Sequence, residues 1–330
     1  MNSFLKKYEF FAGLALTDEQ QQLCCKKMKY IFFIAMLLSG LTARCQETLD
    51  LITISGRYGF PQAYDSIYEG KAKEYGIMAE VKAPIEISDK TIWYNSLNYF
   101  YWNVSNGVNM PEQQMNPIHL NGFILRTGLY QKFSKGRAIQ VFLAPRFMSD
   151  FHHIDGSHFQ MGGLAIYEKR FQKTLTMGFG VMFNQEFFGP YLVPLVNLDW
   201  NISERWSLVG LFPVYGKIKY RVNDRLTAGL SHFGLITTYR LGAEPYQGDY
   251  MERTSIDETL FARYRLGENF YTEVRIGYAL GRSYAQYDKD QKVDFSIPLI
   301  GFNDERVQKN VSFHDGMIAG LRFIYSVPIP

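Results

Sequence analysis

The sequence has 330 residues, of which 47% are hydrophobic, 16% aromatic and only 20% charged, a composition that excludes a disordered chain. Six of the 35 basic residues and three of the 32 acidic residues lie in residues 1–45, which leaves 29 of each sign and no net charge in residues 46–330. The main part of the chain therefore lacks the basic surface that a nucleic-acid partner requires.

All three cysteines, Cys24, Cys25 and Cys45, also lie in the leading segment. A chain without cysteine from residue 46 onward excludes disulfide frameworks, thiolate metal sites and cysteine nucleophiles there. No phosphate-binding glycine loop or dinucleotide fingerprint stands out, so no cofactor is expected.

A short hydrophobic segment near the start has the parts of a secretory signal. Basic residues up to Lys29 precede the apolar run at 31–38, and small residues follow it up to Cys45. An apolar run of this length spans only about 12 Å as a helix, against about 30 Å of hydrocarbon, so it is too short for a permanent anchor. We predict a signal peptide at residues 28–45, cleavage after Cys45 and export to the cell outer membrane.

Met28 stands where such a signal would begin, so residues 1–27 are predicted to be an extension from a start codon chosen too early. Two alternatives stay open for the segment: an ordinary buried helix, and a lipoprotein signal with Cys45 as the lipid-bearing residue. Arg44 disfavours the second, because a lipoprotein signal has a small residue just before the cysteine.

From Leu49 onward the dominant pattern alternates apolar residues with polar or small ones. The clearest stretch, residues 174–184, places Leu175, Met177, Phe179, Val181 and Phe183 on one face. Period two indicates strands with one apolar face. About 14 such strands fit the chain, many with the nine to eleven residues of a tilted membrane-spanning strand. We predict an all-β fold for residues 46–330: a closed antiparallel transmembrane β-barrel of 12–14 strands in up-and-down order.

The connections alternate in length. Short turns at 88–90, 134–136 and 267–269 are separated by long connections such as 103–117 and 284–313, an asymmetry typical of outer-membrane barrels. The reversal at 212–214 is short although it falls on the long-loop side, and without it the count drops to 12. The apolar run 295–300 in the last long loop is expected to fold inward as a constriction.

From Gln46 to Pro330 the chain resembles a Gram-negative outer-membrane β-barrel and is similar to a small group of such barrels catalogued as domains of unknown function. The resemblance rests on short turns followed by strands such as 206–209 and 270–274, and on a closing strand with Met317, Leu321 and Phe323 on one face. It implies outer-membrane lipid, lipopolysaccharide and the barrel-insertion machinery as partners, and leaves the oligomeric state open.

Charged residues on the polar faces are the candidates for lining a lumen, because Arg or Lys on the lipid face costs about 2 to 4 kcal/mol at the midplane. They are Glu80, Lys82, Arg126, Arg146, Glu273, Arg275 and Arg322. Both signs are present, so this set suits either a pathway for a small solute or a self-neutralising plug.

A loop cluster supplies the sharpest set of potential metal ligands: His152, His153, Asp155 and His158. Imidazole with carboxylate suits Zn, Cu or Ni. The spacing matches no closed site, and the turn chemistry of Asp155-Gly156 explains the segment more simply as a polar loop tip.

The first functional hypothesis is an outer-membrane barrel of uncharacterised role, without enzymatic activity, that passes a small solute or has a structural or surface-binding role. One alternative is an outer-membrane enzyme acting on lipid through Ser231 and His232, although neighbours on a strand point to opposite faces and cannot pair directly. The other alternative is a soluble secreted β-protein.

Overall fold

The computed structural model describes residues 48–65, 70–106 and 118–328. The predicted extension at 1–27 and the predicted signal peptide with its cleavage site lie outside the described residues. Within the described ranges, no helix combines the length and the hydropathy needed to cross a membrane.

The described chain is built mainly of strands. They are β1 (Thr48–Ala63), β2 (Lys71–Lys82), β3 (Ile85–Ser88), β4 (Thr91–Asn106), β5 (Ile118–Phe133), β6 (Arg137–Leu143), β7 (Arg146–Ser149), β8 (Phe159–Gln160), β9 (Gly162–Gln172), β10 (Leu175–Glu186), β11 (Gly189–Asn201), β12 (Trp206–Phe212), β13 (Tyr215–Arg221), β14 (Leu226–Arg240), β15 (Tyr250–Arg265), β16 (Phe270–Tyr287), β17 (Phe295–Ile297), β18 (Ile300–Phe302) and β19 (Gly316–Pro328). Two single 3₁₀ turns accompany them, Ser134–Gly136 and Gly156–His158.

The wall strands pair in chain order, and the last strand returns to the first. Ile54 of β1 lies opposite Ala79 of β2 on one side and opposite Phe323 of β19 on the other. Three wall strands are interrupted and consist of two consecutive segments each: β2 with β3, β6 with β7, and β8 with β9. Counted in this way, the described residues make a closed antiparallel barrel of 14 strands. A closed sheet leaves no open edge, as strands that cross hydrocarbon require. The predicted fold class is confirmed, and the 14 strands are the upper end of the predicted range of 12–14.

Side-chain exposure follows the predicted alternation. On β10, Phe179, Val181 and Phe183 point outward and are 58%, 37% and 43% exposed, whereas Asn184 and Glu186 point inward and are buried. Exposed apolar side chains recur on the outward face of the other long strands. The barrel therefore has an apolar outer surface and a polar interior.

The barrel wall is shortest at the β12–β13 hairpin, which we call the low hairpin. Both strands have 7 residues. β12 pairs with β11 only from Val196 to Asn201, and β13 pairs with β14 only from Thr227 to Phe233. The short reversal at 212–214 is therefore a genuine connection, and the remaining lengths of β11 and β14 continue beyond it.

Beyond this low hairpin, β14 turns into the barrel. Its last residue, Arg240, lies opposite Ser149 of β7, and the N–H of Asp150 donates to the carbonyl oxygen of Arg240 at 3.2 Å. The neighbours Thr238 and Tyr239 face opposite sides of β14, yet both are fully buried. This end of β14 thus has interior groups on both of its faces.

The connection from β16 to β19 carries the β17–β18 hairpin. Ser296 lies opposite Tyr191 in a parallel bridge to β11, and the N–H of Val293 donates to the carbonyl oxygen of Phe188 at 2.8 Å. Leu299 at the tip is 74% exposed. The expected inward constriction is wrong, because the hairpin pairs with the part of β11 that extends past β12.

Candidate functional site: the barrel interior

Two groups of polar side chains fill the interior, one in each half of the barrel. The central layer lies in the half that carries the long connections. Its members are Arg57, Glu74, Trp102, Tyr239, Arg253, Asp257, Arg282 and Tyr284. The vestibule lies in the half that carries the short turns. Its ion-paired residues include Asp50, Glu80, Lys82, Arg126, Lys217, Arg263, Glu273, Arg275 and Arg322.

Glu74 is the ionic centre of the central layer. It projects inward from β2, because Tyr75 and Ile77 point outward and alternation puts Glu74 on the other face of the strand. Its carboxylate pairs with Arg57 of β1, accepts from Nη2 of Arg253 at 3.1 Å and accepts from the Tyr284 hydroxyl at 2.6 Å. A fully buried carboxylate requires such partners, since removing a lone ion from water costs several kcal/mol.

Trp102 fills the space between β4 and β14. Its indole Nε1 donates to the Tyr239 hydroxyl at 3.1 Å, and the guanidinium carbon of Arg253 lies 3.5 Å from its ring centroid. Gly76 on the neighbouring strand makes room for the ring, because a Cβ there would lie 2.3 Å from the indole. Such a close approach is a position for glycine.

Arg57 extends the layer to a second carboxylate. Its Nε and Nη2 donate to the two oxygens of Asp257 at 2.7 and 2.9 Å, the bidentate geometry of strong Arg–carboxylate pairs. The Ser255 hydroxyl donates to the same carboxylate. Glu74, Trp102 and Arg253 are each no more than 1% exposed, so water does not reach these side chains of the layer.

A separate buried ion pair holds the inward end of β14. Glu186 accepts from Nη1 of Arg146 at 2.8 Å and from the N–H and hydroxyl of Thr238 at 3.0 and 2.7 Å. Arg146 also donates to the side-chain oxygen of Asn184 at 2.6 Å. The predicted lumen residue Arg146 therefore lies in a buried contact between β7, β10 and β14, away from the vestibule.

The other predicted lumen residues form two clusters in the vestibule. In the first, Glu80 pairs with Lys82 at 3.2 Å and with Arg126 at 2.9 Å. In the second, Glu273 lies 2.6 Å from Arg275 and 3.7 Å from Arg322. Their side chains are 12% to 32% exposed except for the fully buried Glu273 carboxylate, so water reaches this half. A role for these residues in solute passage stays a prediction.

The loop cluster is not gathered into a ligand set. The His152 side chain is 61% exposed, while His158 is 2% exposed and packs its ring against Phe147. Asp155 accepts from the Ser157 hydroxyl and N–H in a capping turn, and these hydrogen bonds hold the pKa of Asp155 below its usual value. Within the described ranges, no three His, Cys, Asp or Glu side chains are placed to hold a metal ion.

Ser231 and His232 are likewise kept apart. Ser231 is buried on the inward face, whereas His232 lies on the outer face. Its Nε2 donates to the carbonyl oxygen of Pro213 at 2.7 Å, and its Nδ1 pairs with Glu258. Pro213 is at the tip of the low hairpin, so this outward polar pair satisfies a carbonyl that the shortened wall leaves without a strand partner.

The central layer is the part of the interior that sequence reasoning missed. Alternation assigns Glu74 to the polar face of β2, yet it does not single out Arg57 or Arg253. Glu74 is 179 positions from Arg253 and 210 from Tyr284. A strand pattern gives the face of a residue but not its partner across a barrel.

Comparison with solved structures finds barrels of low similarity. An outer membrane channel from Pseudomonas putida F1 has 10% identity and a TM-score of 0.42, covering 86% of this chain and 97% of that one. The translocator domain of the autotransporter NalP from Neisseria meningitidis has 11% identity and a TM-score of 0.34, covering 93% and 97%. No curated protein matches the sequence.

A family model covers most of the barrel. The model of a domain of unknown function, DUF6268, matches residues 65–314, which run from just after β1 to just before the closing strand β19. The chain belongs to the DUF6268 family.

Proposed function

We propose that the protein is an integral outer-membrane β-barrel whose central layer keeps a passage for small solutes closed at rest. The outer surface supports the membrane location. Ile54, Leu260 and Phe323 are 52%, 61% and 55% exposed on different wall strands. Soluble monomers rarely expose apolar surface as a continuous patch, whereas hydrocarbon accepts it.

Export by the predicted signal peptide and insertion by the barrel-insertion machinery would put the short turns in the periplasm. The long connections, including the β17–β18 hairpin, would then face the cell exterior. Membrane lipid and lipopolysaccharide would contact the apolar belt. A soluble secreted protein would leave this belt uncovered.

One observation carries the proposal of a closed passage: the water-accessible vestibule ends at a layer of buried ion pairs. Buried ion pairs stabilise a fold no better than apolar packing of similar volume. An inert barrel therefore has no need of them, and charged residues inside membrane proteins mark solute pathways. Ion pairs are also contacts that a solute or a moving strand can replace.

We propose no catalytic role. A hydrolase needs a nucleophile and a base within hydrogen-bond reach of each other. The imidazole of His232 is engaged by Glu258 and by the Pro213 carbonyl, and Ser231 faces the other side of the wall.

Refolded protein tests both parts of the proposal. The barrel should be recovered with membranes and should migrate faster on a gel before boiling than after it. In planar bilayers the wild type should give no steady conductance, whereas Arg253→Met should give channel openings. Arg126→Met is the matched control, because Arg126 lies in the vestibule and should leave the layer closed. Recovery in the soluble fraction would contradict the membrane location, and a steadily open wild type would contradict the closed state.

A further inference from the structure

The vestibule carries more positive than negative side chains. Among the vestibule residues named above, six are cations, Lys82, Arg126, Lys217, Arg263, Arg275 and Arg322, and three are carboxylates, Asp50, Glu80 and Glu273.

Each vestibule carboxylate is already engaged. Asp50 accepts two hydrogen bonds from Arg263, at 2.8 and 3.0 Å. Glu80 is held by Arg126 and Lys82. Glu168, a further inward-facing carboxylate of this half, accepts from the side-chain amides of Gln140 and Asn197.

The excess charge is concentrated at Arg322. Glu273 accepts from Lys217 at 2.8 Å and from Nε of Arg275 at 2.6 Å, while Arg322 lies 3.7 Å from the same carboxylate. Three cations therefore share one carboxylate, and Arg322 is the most distant of them. Its side chain is 21% exposed, so water screens it only in part.

A small cavity opens beside Arg322, between the vestibule and the central layer. Four charged residues line it, Arg57, Asp257, Arg275 and Arg322, together with Ser55, Thr259 and apolar side chains. Asp257 is already engaged by Arg57. Arg57 is neutralised by the carboxylates of the central layer. Arg275 and Arg322 remain as guanidinium groups at the edge of a partly dry space, with one carboxylate between them and Lys217.

We propose that this cavity, at Arg275 and Arg322, binds a small oxyanion that enters from the vestibule. The planar guanidinium fork matches carboxylate and phosphate oxygens, and hydroxyl groups on the lining can donate to the same anion. Three partly buried cations that share one carboxylate repel one another, and a bound anion relieves this repulsion. The inference rests on the proposed passage in one respect, because a site for oxyanions beside the passage implies that anions are its preferred solutes.

Isothermal titration with inorganic phosphate tests the binding site without requiring an open passage. The protein is kept in detergent micelles at constant ionic strength. We expect saturable binding by the wild type, at least a tenfold loss of affinity in Arg322→Gln, and wild-type affinity in Arg126→Gln, whose parent side chain has its own partner in Glu80. Arg322→Lys, which keeps the charge without the fork, should bind more weakly than the wild type and more tightly than Arg322→Gln.

Absence of phosphate binding by the wild type, or an equal affinity in the wild type and Arg322→Gln, would overturn the site. A loss of the same size in Arg126→Gln would also overturn it, because the effect would then be one of overall charge. These results leave the proposed closed passage untouched, since that proposal is judged by conductance alone.

Discussion

The guanidinium of Arg253 stacks on the indole of Trp102, with 3.5 Å between the guanidinium carbon and the ring centroid. The same guanidinium donates to Glu74 at 3.1 Å. A desolvated cation–π contact contributes about 2 kcal/mol. Arg253 therefore joins the aromatic and the ionic parts of the central layer, which makes the layer one connected unit.

Replacing Gly76 with alanine should strain this unit. The added Cβ would lie 2.3 Å from the Trp102 indole, and overpacking of this kind destabilises a protein by about 1 to 3 kcal/mol. Gly56→Ala is the control, because nothing lies within 4 Å of a Cβ at that position. Urea titration of the barrel in vesicles, followed by the gel shift, measures both variants. Equal midpoints would mean that the indole moves aside without resistance.

Removing the charge of Glu74 should destabilise the barrel more than removing the charge of Glu80. In Glu74→Gln, Arg57 and Arg253 lose their shared carboxylate in a dry layer, which costs about 3 to 5 kcal/mol. Glu80 is 24% exposed, and partly exposed pairs contribute about 1 kcal/mol or less. The same urea titration compares the two variants. A smaller effect at Glu74 than at Glu80 would contradict the role given to the layer.

The loop that carries the β17–β18 hairpin should loosen in acid. Hydrogen bonds from Arg306 hold the pKa of Asp304 below its usual value. A lowered pKa in the folded state means that the stabilisation is present above the ordinary aspartate pKa, about 3.9, and is lost as the pH falls through the lowered value. The effect is therefore expected below about pH 4.

A spin label at Leu299→Cys reports this loosening, because residues 46–330 contain no other cysteine. The label should be more mobile at pH 3 than at pH 5. With Asp304→Asn added, it should be mobile at both values. Mobility that is the same at the two pH values, with Asp304 intact, would show that the pair does not hold the loop.

His232→Ala should weaken the barrel rather than remove an activity. Without the imidazole, the outward-facing Pro213 carbonyl at the tip of the low hairpin loses this donor, and an acceptor left unsatisfied in hydrocarbon costs about 1 to 3 kcal/mol or more. Urea titration should detect this loss, with Tyr264→Phe, also on an outward face, as a near-neutral control. Hydrolysis of a lipid ester by the wild type that disappears in His232→Ala would instead favour the lipid-acting enzyme.

Much of the fold follows from local pattern. Alternation in residues such as Phe179, Val181 and Phe183 identifies the strands and their outward face, because period two is a property of the chain itself. Alternating short and long connections then give the meander and the closed barrel.

The central layer and the path of β14 do not follow from local pattern. The contact of Thr238 with Glu186 depends on how far β12 and β13 extend, and that length is set by the tip at Pro213. The expectation that the run at 295–300 folds inward rests on its apolar character alone. An apolar segment suits a membrane-facing position equally well. The hairpin in this run pairs with the part of β11 that β12 does not reach.

Single-channel conductance of Trp102→Ala tests the central claim most directly, because this change removes the largest fully buried side chain from the layer. The control is Trp206→Ala, which removes an indole that is 44% exposed beside a short turn. Both variants should first migrate as folded barrels on an unheated gel. The account predicts a steady conductance for Trp102→Ala and none for the wild type or Trp206→Ala. A folded Trp102→Ala barrel that stays closed, or a wild type that conducts as well as the variant, would contradict it.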